Sequence, residues 1–103
     1  MGTGNGTVEV QRVTLSPEVV RQALWYFGDT NLGEDGGHFV TRLFALTAAA
    51  DEDNRGKLAA LWPEHVTAFN IAARMGWGLD YLRGLAKAHE LHAEDMLDMG
   101  GAA

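Results

Sequence analysis

The chain has two prolines, Pro17 and Pro63, and each stands where a helix is expected to begin. Proline's fixed φ suits the first helical position, while its missing N–H excludes it from a helix interior. Ser16 before Pro17 supplies a capping oxygen and Glu18 suits the positive end of the helix dipole, so the first helix is expected to start at Ser16 or Pro17. Its inner face is expected from Val19, Val20, Ala23, Leu24 and Phe27, widened by Trp25 and Tyr26, with Gly28 as the stop.

The same grammar divides the rest of the chain. A second helix is expected from His38 to about Ala50, with Phe39, Leu43 and Leu46 on one side and Val40, Phe44 and Thr47 beside them. This broad apolar face makes it the expected central helix. Asp51 can cap a third helix whose Leu58, Leu61 and Trp62 supply an inner stripe. Proline disfavours the α conformation in the residue before it, so Trp62 is expected at a bend, as a core anchor, and Pro63 opens a fourth helix carrying Val66, Phe69 and Ala73. After Gly76, Trp77 and Gly78, the longest helix runs from Leu79 or Asp80 to Leu97 and stops before Gly100 and Gly101.

These signals predict one all-α domain, a compact bundle of four or five short helices over 16–99. It follows an N-terminal arm over 1–15 and precedes a tail over 100–103. Within the arm, Val8 and Val10 alternate with Glu9 and Gln11, the pattern of an extended segment that needs an edge to pair with. With 103 residues, 47% of them hydrophobic, one modest core is expected and a second domain is not.

A formal net charge of -6 repels phosphate backbones, which makes nucleic acid an unfavoured partner. Cysteine is absent, excluding disulfides, thiolate metal sites and a cysteine nucleophile, and fitting a reducing cytoplasm. The first ten residues have neither a basic nor an apolar leader pattern, and no run approaches the ~20 apolar residues that cross a bilayer. A cytoplasmic protein without a membrane partner is expected.

Catalytic signatures are missing. Ser16, the single serine, sits at a cap position. The glycines of GTGNG and GEDGG do not fit a phosphate loop. Asp29, Asn31, Glu34 and Asp35 evoke a calcium loop, but counting from Asp29 the sixth and twelfth places hold Glu34 and Val40 instead of glycine and glutamate. His89 and His92 are the metal candidates, because residues three apart share a helix face; HELHAED nevertheless lacks the second histidine four places on. No cofactor is assigned.

Trp25 and Trp62 are expected in the core. Trp77, flanked by two glycines, is the one expected to be displayed to a partner. The last helix adds Tyr81, Leu82, Leu85, His89, His92 and Met96 as a possible seam, and Val8 and Val10 complete the candidate partner-binding set.

The block GGHFVTRLFALTAAADEDNRGKLAALWPEHVTAF resembles small helical proteins of actinobacterial phages and prophages. The marks are Phe39 and Leu43, then Ala50 and Asp51 with Asn54, then Trp62, Pro63 and Glu64. The resemblance implies a small accessory protein of the host cytoplasm that acts by contacting another protein or itself. The alternatives are a metal-binding protein or metal-dependent enzyme using the last helix, and a regulator that contacts nucleic acid.

Overall fold

The caps read from the sequence are the caps of the structure, a computed structural model that describes residues 13–102, with side chains over 13–93. Ser16 Oγ accepts the N–H of Val19 at 3.4 Å and opens α1, Pro17–Tyr26. Asp51 Oδ1 accepts the N–H of Asn54 at 2.8 Å and opens α3, Glu52–Leu61. Trp62 ends α3 and begins α4, Pro63–Arg74, at φ −130° and ψ 67°. Between them α2 spans Gly37–Ala49, and α5 spans Gly78–Ala102. The described residues form five helices and no strand, an all-α bundle. Val8 and Val10 of the expected arm lie outside them; Val13 to Leu15, its last part, are non-helical.

The central helix is α4, not α2. It packs on each of the other four helices, whereas the extensive contacts of α2 are with α1 and α4. Val66, Ala68 and Phe69 of α4 are buried, and the core joins Phe69 to Val19, Val20, Ala23 and Leu24 of α1, Phe44 of α2, and Leu82 and Ala86 of α5. The rings of Phe44 and Phe69 lie nearly parallel with centroids 6.2 Å apart, and Tyr26 and Phe27 pack around them. Burying a side chain such as Phe44 stabilises the fold by roughly 1.5–3 kcal/mol.

Several apolar residues expected inside are outside. Phe39 is 60% exposed and Leu46 54% exposed, so the buried stripe of α2 narrows to Leu43, Phe44 and Thr47. The reason is geometric: α2 has α1 and α4 beside it, and two neighbours cover less than the full width of its apolar face. No residue of α3 is buried, and Leu61 is 70% exposed, because α4 is the one helix on which α3 packs extensively. Trp62 occupies the expected corner but packs its ring on Phe39, centroids 5.7 Å apart, and does not enter the core. Trp25 is likewise surface-lying. Ala73 is exposed too.

The last helix is also longer than expected. It begins at Gly78, and its backbone stays helical through Gly100 and Gly101 to Ala102, so the expected tail continues α5. Glycine weakens a helix by about 1 kcal/mol per residue but does not end one by itself.

Candidate interaction surface

The turn from α4 to α5 sets out the most exposed aromatic pair. Met75 caps α4, its N–H donating to the carbonyl of Ile71 at 3.2 Å. Three residues later Gly78 N–H donates to the Met75 carbonyl at 2.9 Å and the chain turns into α5. Gly78 is buried against the backbone of Ile71 and Ala72, and a β-carbon there would run into the Ile71 carbonyl oxygen. Glycine thus allows the start of α5 to sit on the end of α4.

That close approach turns the neighbouring side chains outward. Trp77 precedes α5 and its carbonyl accepts the N–H of Tyr81 at 3.0 Å, so the two residues are joined through the first turn. Their rings meet edge to face, centroids 5.7 Å apart and planes at 82°. Trp77 is 58% exposed and Tyr81 48%, with Met75 also on the surface. Edge-to-face contact between aromatic rings is favourable beyond the area buried, and here it holds the two rings against one another.

Behind the pair, a polar clasp holds α5 to the loop after α1. Asp29 Oδ1 accepts the N–H groups of Asn31 and Leu32, both at 3.0 Å, and Oδ2 accepts from Arg83 Nε at 2.8 Å. The Leu32 N–H foremost, then the Arg83 guanidinium, hold the Asp29 carboxyl below its ordinary range. Arg83 also donates to Asp80 at 2.9 Å. Gly28, at φ 99°, makes the turn that leads into this loop. Asp35 Oδ1 accepts the Gly37 N–H, so two carboxylates of the apparent calcium loop organise turns.

The remaining candidates separate. Leu82 is fully buried in the domain's own core, while Leu85 is half-buried and packs against that core. The inward stripe of α5 is Gly78, Leu82 and Ala86, with Leu85 and His89 beside it. His89 is half-buried, and its Nδ1 has no hydrogen-bond partner among the described residues, whereas His92 is exposed. Among the described residues no group of three or more His, Asp or Glu side chains lies together as a metal site would. The side chain of Met96 lies outside the described part, as do Val8 and Val10.

No family model, curated protein or solved structure matches the chain. No described helix is long and apolar enough to cross a membrane.

The flanking glycines made the exposure of Trp77 legible in the sequence, whereas nothing there marked Met75, which shares the turn. Nor did anything mark Glu64, whose Oε1 accepts the N–H of Ser16 at 2.6 Å and joins the starts of α1 and α4. An acidic residue after Pro63 signals a helix start; nothing in the local pattern signals that its carboxylate reaches a second helix.

Proposed function

We propose that the chain is a non-catalytic protein-interaction module whose binding surface is the aromatic pair at the start of α5. Trp77 and Tyr81 are its anchors. The observation that carries this reading is that two large rings, each about half exposed, are fixed against one another on a rigid helix start. Such rings bury much area at small cost in side-chain freedom, which is why they recur as binding hot spots. The resemblance to phage accessory proteins supports the same reading and suggests action in the host cytoplasm, on a host protein, a phage protein or a second copy.

The test compares the wild-type chain with Trp77→Ala/Tyr81→Ala. Light scattering over a range of concentrations reads self-association, and affinity capture reads heterologous partners. Loss of one hot spot typically costs about 2 kcal/mol, or roughly 30-fold in affinity. The double variant is therefore expected to weaken assembly or capture by at least about that factor. Unchanged assembly and an unchanged set of captured proteins would overturn the assignment.

A further inference from the structure

Trp77 and Tyr81 are the first two members of a longer stripe. Gly84, Ala88 and Leu91 continue it, and all five residues are exposed, Leu91 to 62%. The steps between them alternate between four and three residues, the repeat of a seam between two helices. At 3.6 residues per turn the five positions fall in a sector about 80° wide, centred roughly 140° round α5 from Gly78, Leu82 and Ala86, which face inward. We propose that this outer face of α5 docks on the same face of a second copy of the chain, antiparallel, with Trp77 against Ala88 and Tyr81 against Gly84 of the other copy. The assignment rests on the aromatic pair being the binding surface and names its partner.

The stripe carries its own complement. Its large rings stand at the α4 end and its small residues, Gly84 and Ala88, in the middle. A parallel pair in register would set ring against ring and leave a hollow between the two copies of Gly84, and no single helix separation suits both layers. Reversing one copy places each ring over a small residue. A β-carbon at Gly84 meets nothing within 4 Å in its own chain, so the space above it is open to a ring. Charge selects the same arrangement. Asp80 and Lys87 border one edge of the stripe a heptad apart, and edge positions of this kind face their own counterparts in an antiparallel pair. Asp80 of each copy then faces Lys87 of the other, an attraction made twice per dimer. In a parallel pair the same rule sets Asp80 opposite Leu85 and Lys87 opposite His92, which offers no such match. Asp80 accepts from Arg83 through Oδ1 and its side chain is still 85% exposed, so it can take a second cation.

The absence of native cysteine makes the register directly readable. Full chains carrying Trp77→Cys are mixed with full chains carrying Ala88→Cys under mild oxidation, at a concentration where light scattering finds the wild type assembled. In the antiparallel seam the two variant positions meet, whereas like positions lie about 16 Å apart along the helix, too far for a disulfide. The mixed disulfide is expected to form at least about tenfold faster than either variant links to itself. Gly84→Gln supplies a second measurement. It fills the space above the stripe and improves helix propensity, so the fold is kept while the dimer dissociation constant is expected to rise at least about tenfold. A wild type that stays monomeric at millimolar concentration, self-linking as fast as mixed linking, or a dimer indifferent to Gly84→Gln would overturn the proposal. The reading of the pair as a binding surface fails separately. It falls if Trp77→Ala/Tyr81→Ala changes neither assembly nor capture, and it stands if a monomeric wild type captures another protein through the pair.

Discussion

Gly78 shows how much one missing side chain can decide. A methyl group there meets the Ile71 carbonyl, which also accepts the Met75 N–H, so the helix end cannot simply move aside. Gly78→Ala is expected to destabilise the fold by about 1–3 kcal/mol despite alanine's better helix propensity, measured by urea unfolding. At an open position such as Gly84 the same change is expected to be neutral or stabilising. His65 is the other informative residue. It lies in contact with Phe44, its Nε2 is 3.2 Å from Gln22 Oε1, and burial holds it below its ordinary pKa. The folded state then binds protons less readily than the unfolded chain. Stability is highest above the unfolded value near 6.5 and falls as pH drops from there through the folded value. Asp29, with its lowered pKa, adds a loss of the same sign at more acidic pH, below about 4. Thermal midpoints measured from pH 8 to pH 3 are expected to fall in both windows, and His65→Gln is expected to flatten the upper one alone.

At the scale of elements, α3 is the least committed helix. Its Asp51 cap and acidic first turn favour helix locally, yet it buries no residue and packs extensively on α4 alone. Helices of this length are marginal without packing. Amide exchange followed by NMR is expected to show α3 opening well before α1 and α4, and Asp51→Ala, a change of about 1 kcal/mol, to speed exchange in α3 selectively. Exchange in α3 as slow as in α4 would refute this. The starts of α1, α3 and α4 were legible because a cap is a local interaction among three or four neighbours. The inner stripes were less legible, since an apolar position is buried only where a neighbour covers it. Phe39, Leu46 and Leu61 have the pattern of core residues and the surroundings of surface ones. The exposure of Trp77 was legible in its flanking glycines, while Leu82, read as part of a seam, lies in the domain's own interior; spacing alone does not distinguish the two.

Over the whole molecule, the helical class followed from the periodicities, but the arrangement around α4 did not. That arrangement rests on contacts distant in sequence, among them the Ser16 to Glu64 bond across 48 positions and the Arg83 to Asp29 clasp across 54. Those two links have a consequence for a chain made one residue at a time. The first helix is completed by α4 and α5, so Val19, Val20 and Leu24 have no full cover until the last helix has left the ribosome. Closure of the core therefore waits for α5, and a nascent chain halted before Gly78 is expected to be cut by protease within α1, while a released chain that carries α5 resists. Resistance in the halted chain would show that the first four helices already close the core without the fifth.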